Sequence, residues 1–196
     1  MLFTCHRINT INELKKISTT HGIEIDLRDD IYGNIYLHHD PYIMGEKLDD
    51  FLNNYKHSFI ILNIKSEGIE FKIIEILKKF KITEYFFLDC SFPMIYKLCK
   101  NNIKNIAVRF SEFEGLETIK NMENKINWIW VDCFTINPLT KKIYDELKSM
   151  NYKLCFVSPE LQQQSEKIDI YKRYFKENNI DLDMICTKDY NISKWK

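Results

Sequence analysis

Two carboxylates on one face of an otherwise apolar strand are the residues in this chain with the most chemistry to offer. In Gly22-Ile23-Glu24-Ile25-Asp26-Leu27-Arg28 the side chains alternate, so Glu24, Asp26 and Arg28 face one way while Ile23, Ile25 and Leu27 face the other. Burying two carboxylates side by side costs several kcal/mol unless a cation or hydrogen bonds offset it. Upstream, Cys5-His6-Arg7 ends an apolar segment; downstream, His38-His39-Asp40-Pro41 follows a turn from Asp30 to Asn34. His6 and His39, side chains that ordinarily titrate near neutrality, therefore bracket the two acids and form a natural acid and base. The simpler alternative is an ion-pair cluster of Glu24 and Asp26 with Arg28 and Arg7.

The elements that must position these groups follow from periodicity. Leu2 to Cys5 reads as a strand, followed by a helix from Ile11 to Thr20 with Ile11, Leu14 and Ile17 at helical spacing. Ile23 to Leu27 is the second strand and Ile35 to His38 an extended piece behind Gly33-Asn34. The continuous run Phe59 to Ile64 reads as a strand buried on both faces, which favours a parallel sheet. From there helices and strands alternate: helix Glu70 to Lys79, strand Tyr85 to Leu88, helix Met94 to Lys100, strand Ile106 to Arg109, helix Leu116 to Met122, strand Trp128 to Asp132. Helix Thr140 to Met150, strand Lys153 to Val157, helix Ser165 to Lys176 and strand Leu182 to Thr187 complete the series, with no helix expected after the last strand. Eight such units predict a single-domain α/β chain folded as a compact (β/α)8 TIM-type barrel. The alternative is an open doubly wound sheet, against which His6-Arg7 stands where a glycine-rich turn would be.

In a parallel barrel the chemistry lies at the C-terminal ends of the strands. Glu24, Asp26 and the side-chain oxygen of Asn63 have the parity to share one mouth, and such oxygen ligands suit a hard divalent cation, Mg2+ or Ca2+. Arg7, Lys65 and Arg109 surround that position with positive charge, so the ligand completing it should be anionic, and a phosphate fits. Asp89, Asp132 and Glu160 also stand on the rim, where structural ion pairs are common. Trp128 and Trp130 share one face and read as core.

The chain has 28 basic and 28 acidic residues, so its charge gives no reason to expect nucleic acid as a partner. No window reaches the roughly 18 consecutive apolar residues that span a bilayer, and His6 and Arg7 interrupt any signal-like start; a cytoplasmic protein is expected. Six cysteines without a C-x-x-C pair read as reduced, small apolar residues.

Cys-His6-Arg7, Ile-Glu24-Ile-Asp26-Leu, Leu-His-His39-Asp40-Pro41 and Leu62-Asn63-Ile64-Lys65, in this order, resemble the signature series of the glycerophosphodiester phosphodiesterases, a branch of the phospholipase C-like phosphodiesterases. The match covers the first third of the chain; the remainder agrees in strand and helix order. The resemblance implies a barrel and a metal-dependent cleavage of a small phosphodiester, with His6 and His39 as the catalytic pair. It further implies Glu24 and Asp26 as metal ligands and Arg7 and Lys65 near the phosphate. Asn63 departs from the pattern, since the family usually has a glutamate there; an amide still coordinates but removes one negative charge. The connection after the His-Asp motif is also shorter than the family's, which implies a more open or reshaped pocket. By this resemblance a substrate hydroxyl attacks phosphorus, one histidine takes its proton and the other protonates the leaving alcohol, giving a cyclic phosphate that water opens. Which histidine does which stays open. Two further readings remain: a phosphodiesterase for a phosphorylated glycan or glycolipid precursor, and a non-catalytic phosphoryl-ligand binder.

Overall fold

The computed structural model describes all 196 residues. β1 (Leu2–Cys5) leads through a short helix α1 (Ile11–Leu14) to β2 (Gly22–Asp29), β3 (Ile35–Leu37), β4 (Glu46–Lys47) and α2 (Leu48–Leu52). The chain then alternates: β5 (Ile60–Ile64), α3 (Glu70–Lys79), β6 (Tyr85–Leu88), α4 (Phe92–Lys100), β7 (Ala107–Phe110), α5 (Leu116–Asn121) and β8 (Trp128–Val131). α6 (Lys141–Ser149), β9 (Lys153–Val157), α7 (Ile168–Glu177), β10 (Met184–Thr187) and α8 (Ile192–Trp195) follow. No helix is long and apolar enough to cross a membrane.

The fold is mixed α/β around one large sheet. Its parallel ladder runs β7-β8-β9-β10-β1-β2-β5-β6, with β3 antiparallel on β2 and β4 antiparallel on β3. The ends of the ladder, β6 and β7, meet at a single parallel bridge between Phe87 and Ile106, beside which the Phe87 N–H donates to the Asn105 carbonyl at 2.9 Å.

Side-chain alternation divides the interior in two. A cluster of 45 buried residues, among them Ile23, Ile25, Leu62 and Phe156, packs the strands against the helices. A separate cluster of 11 lies on the other face, with Ile61, Phe86, Ala107, Trp128, Trp130, Cys155 and Met184 contributed by successive strands. Trp128 and Trp130 are core there, as their shared parity predicts, and Phe86 packs against the Trp128 ring at 5.0 Å between centroids. Glu24 and Asp26 are on this same inner face, above the aromatic layer, and both are fully buried.

Two expectations are corrected, and one strand is added. The helix from Ile11 to Thr20 stops at Leu14, because Ser18, Thr19 and Thr20 favour local side-chain bonding over helix; the Ser18 and Thr20 hydroxyls bond each other at 2.9 Å. A short helix, α8, does follow the last strand, burying Ile192 and Trp195. The segment ahead of Leu48 carries a two-residue strand, β4, that periodicity cannot reveal at that length.

The edge of β2 is what brings distant segments to the acids. β1 pairs with it only at Gly22 and Ile23, and β3 only from Leu27 onward. Between them the edge is completed by the Ile8 N–H, which donates to the Glu24 carbonyl at 2.8 Å, by the Asn9 side chain on the Asp26 N–H, and by the His38 N–H on the Asp26 carbonyl. Satisfying these buried backbone groups obliges residues 6–9 and 38–39 to sit over Glu24 and Asp26. Gly45 holds the second of these segments: a Cβ there would lie 1.8 Å from the Leu37 carbonyl oxygen, so β3 and β4 pair only around a bare backbone. Gly45→Ala is expected to destabilise the chain by about 1–3 kcal/mol, read as a lower urea midpoint at an unchanged slope.

Candidate functional site

Glu24 Oε2 accepts from the Arg7 backbone N–H at 2.6 Å and Oε1 from the Asn63 amide at 2.8 Å, while His6 Nε2 stands 3.8 Å from Oε2. Asp26 Oδ2 accepts from Asn9 Nδ2 at 2.8 Å and lies 3.5 Å from Arg7 Nε; its Oδ1 is 3.7 Å from Lys65 Nζ. Asn63 is the direct neighbour of Asp26 across the β2–β5 ladder. His6, Arg7, Glu24, Asp26, Asn63 and Lys65 are thus one constellation. Arg7 adopts a left-handed backbone, φ 57°, a strain of about 1–3 kcal/mol that turns its N–H onto Glu24.

His39 stands at the open side of the site, its ring partly exposed and its Nδ1 2.7 Å from the Asp40 carboxylate, which leaves Nε2 free. The backbone behind it is fastened by Arg28, which donates through Nε and Nη2 to the His39 carbonyl and through Nη1 to the Lys65 carbonyl. Arg28 therefore pairs with neither acid: it ties the histidine segment to β5, and the simple ion-pair alternative is realised only for Arg7. His38 bonds the Asp40 backbone, and buried His57 meets the Ile17 carbonyl at 3.1 Å.

Arg109 is placed differently from the other cations. It bonds Asp89, bonds Asp132 at 2.5 Å, and has its Nε 3.7 Å from Glu114, so carboxylates already engage its charge. It connects to the constellation through Asp89, whose other oxygen accepts from Lys65 at 3.3 Å. Glu160, the other rim acid, accepts from the Thr187 hydroxyl and the Lys188 N–H and holds the loops together.

Two residues at the site stand out only in the structure. Asn9 clamps Asp26 twice, its amide nitrogen on the carboxylate and its amide oxygen on the backbone N–H, each at 2.8 Å. An asparagine two residues beyond Arg7 is a weak signal by itself. Lys188 extends from the end of β10 and donates to the His6 carbonyl at 3.1 Å.

The electrostatics are those of buried acids short of positive charge. Burial, then repulsion from Asp26, raises the Glu24 carboxyl to about 7. Burial, then the positive charge of Lys188, Arg7 and Lys65, lowers the His6 imidazole to about 3, so it is neutral at physiological pH. Asp26 Oδ1 and Asn63 Oδ1 are buried on neighbouring strands with no hydrogen-bond partner. Two hard oxygens without a hydrogen bond, beside a carboxylate that resists ionisation, are what a divalent cation would satisfy, and these residues fit one. No three acidic, histidine or cysteine side chains converge as ligands, so such a site would depend on the Asn63 amide.

No family model and no curated protein matches the chain. Among solved structures, it is similar to the glycerophosphodiester phosphodiesterase from Agrobacterium tumefaciens, with a TM-score of 0.68 and 13% identity over 95% of both chains. It is similar also to a glycerophosphoryl diester phosphodiesterase from Parabacteroides distasonis, with a TM-score of 0.68 and 14% identity over 94% of this chain and 81% of that one. The chain has their fold.

The two shifted groups act on stability with opposite sign. Glu24 holds its proton more tightly folded than unfolded, so its contribution is lost as pH rises from 4.5 to about 7. His6 resists protonation when folded, so its contribution is lost as pH falls below 6.5 toward about 3. His6, together with His21 and His57, which burial also lowers from 6.5, acts in the opposite sense up to about pH 7.5, so the Glu24 share is read against Glu24→Gln. With chelator present, Tm of the native chain is expected to fall relative to that of Glu24→Gln as pH rises from 6.5 to about 7.5. Added Mg2+ or Ca2+ should restore it in the native chain alone, as followed by thermal melts.

Proposed function

We propose that the chain is a phosphodiester hydrolase acting on glycerophosphodiester-like substrates with the help of a divalent cation. The observation that supports this above all is the convergence of His6, Arg7 and Lys65 over Glu24, Asp26 and Asn63 at the C-terminal ends of adjacent strands, with His39 close enough for its charge to act on His6, in a fold that known phosphodiesterases share. We read the sheet as an eight-stranded barrel with its seam at β6 and β7. The inner aromatic cluster and the bridge from Phe87 to Ile106 support that reading.

Glu24, Asp26 and the Asn63 oxygen would hold the cation, which when bound neutralises phosphoryl charge and lowers the pKa of a coordinated hydroxyl. Burial and the neighbouring cations keep His6 neutral with its lone pair free; its affinity for a proton, low in the free protein, would be raised by the negative charge of a bound phosphodiester. We assign it the role of base toward the substrate hydroxyl that attacks phosphorus. His39, oriented by Asp40 and in contact with solvent, would deliver a proton from Nε2 to the leaving alcohol. Arg7 and Lys65 would draw the phosphate in and stabilise charge on its oxygens as it rises. A cyclic phosphate, opened by water, is the product this sequence of proton transfers yields first.

One observation favours a second reading. Lys65 Nζ, 3.7 Å from the unpaired Asp26 oxygen, places a cation of the chain's own beside the acids, and Asn63 removes a charge there. A phosphoryl-ligand binder without turnover is consistent with both.

Turnover of glycerophosphodiesters and a chromogenic diester, with Mg2+, Ca2+ or chelator, separates the two. We expect cation-dependent cleavage that falls by about 10²–10⁴-fold in kcat/KM in His6→Ala and in His39→Ala. Absence of turnover by the native chain on every diester, with phosphate still bound, would leave the binder.

A further inference from the structure

The seam between β6 and β7 is open above its single bridge. Asp89 takes a left-handed backbone, φ 57°, at the end of β6 and turns the chain away from β7 before a second rung forms. The space between the diverging strands is a cavity of about 330 Å3 under α4 and α5, walled by Leu88, Phe92, Ile95, Val108 and Thr118. That is within the size range of about 300–1,000 Å3 at which pockets hold small ligands. Its inner end is polar, formed by Asp89, Arg109 and Glu114. A second cavity of about 390 Å3 shares the Phe92 ring as a wall and continues between the same helices past Tyr96, Cys99 and Met122, with lysines at its far rim. Phe92 and Tyr96 are more than half exposed along this trough, at 54% and 57%. Large apolar side chains left open beside a charged site are a cost in the free protein unless something covers them.

The trough begins at the candidate site itself. Asp89 receives Lys65 on one oxygen and Arg109 on the other, and the same Lys65 stands beside Asp26. A ligand with its phosphate at Arg7 and Lys65 therefore has the mouth of the trough one side chain away. Charge at one end and carbon along the length match an amphiphile.

We propose that this trough is a substrate subsite for an alkyl or acyl chain carried by one alcohol of the phosphodiester, making the substrate class a single-chain amphiphilic phosphodiester. The proposal rests on the phosphodiesterase reading for its chemistry, though the trough binds a tail whether or not the site turns over. The short connection after the His-Asp motif leaves the rest of the mouth open, so specificity would come from this seam.

Gly115 permits a clean test. It lines the trough, its φ of −78° suits any residue, and no atom lies within 4 Å of where a Cβ would be. Gly115→Phe should fill the cavity without straining the backbone, and Thr118→Phe blocks the same space from α5 if the first variant folds poorly. Calorimetry with decyl phosphate and ethyl phosphate, below micelle concentration, is expected to show decyl phosphate at least about 30-fold tighter on the native chain, since each buried methylene contributes about two- to fourfold. In either variant the advantage should shrink to within about threefold with ethyl phosphate unchanged. Equal binding of the two phosphates by the native chain, or an advantage that persists in both variants, overturns the subsite. Discrimination without cleavage of an ethyl or decyl glycerophosphodiester overturns the phosphodiesterase reading and leaves the subsite standing.

Discussion

Everything at the upper end of this sheet is arranged around the desolvation of Glu24 and Asp26. Both carboxylates are fully buried, and neither could remain so without compensation. The compensation comes from the backbone N–H of Arg7, the amides of Asn9 and Asn63, and the cationic heads of Arg7 and Lys65. Most of these partners lie far away in sequence or on loops that have no regular structure of their own. What fixes them is the β2 edge, whose exposed backbone groups between Ile23 and Leu27 have to be paired by something. The chain answers with residues 8, 9 and 38, and the histidines flanking that stretch are carried in with it. Pairing the backbone and assembling the site are one event.

The inner face of the sheet is graded along the strand direction. At its lower level Phe59, Phe86 and Trp128 pack with centroid separations of 5.0–5.6 Å, a dry aromatic layer that gives the strands their spacing. One level up, the same faces carry Glu24, Asp26, Asn63, Arg109 and Asp132. The aromatic floor keeps water from reaching the acids from below, which is why burial dominates the shifts at Glu24 and His6. Alternation with period two sets this gradient, because each strand moves from apolar to polar on its inner face as it reaches the rim.

That gradient is also why so much was legible in the sequence. Glu24 and Asp26 declare themselves by parity within an apolar strand, Asn63 and Lys65 by their position at the end of a doubly buried run, and His6 and His39 by closing the segments on either side. The strand and helix order from Phe59 onward could be read with boundary errors of up to three residues. What stayed hidden depends on tertiary pairing. Asn9 matters only because Asp26 N–H faces it across the β2 edge, and Lys188 only because β10 lies beside β1. Arg109 reads as a phosphate ligand from its charge, yet Asp89, Asp132 and Glu114 arrive from three different loops or strands to engage it. The false extension of α1 arose because Ile17 continues a helical spacing that Ser18 to Thr20 do not support.

The Asn63 amide shows how the site's charge is balanced. With a glutamate at this position three carboxylates would share one desolvated pocket, and the existing donors, Lys65 with its 3.7 Å approach to Asp26 and the N–H groups of Arg7 and Asn9, could not offset the third. As an amide, Asn63 donates to Glu24, and its own oxygen, like Oδ1 of its ladder neighbour Asp26, has no hydrogen-bond partner, so it relieves one acid while leaving a two-oxygen gap. Under the proposed reading, a cation filling that gap would meet two carboxylates and a dipole and would stay more positive toward a phosphate than it would among three carboxylates. Arg109, its charge already engaged, serves as the strut that joins Asp89, Asp132 and Glu114 beside the open seam. An amide on β5 that adds no charge beside two buried acids, and an arginine on β7 whose charge three carboxylates take up, are two answers to the same demand, that no charge at this end of the sheet be buried without a partner.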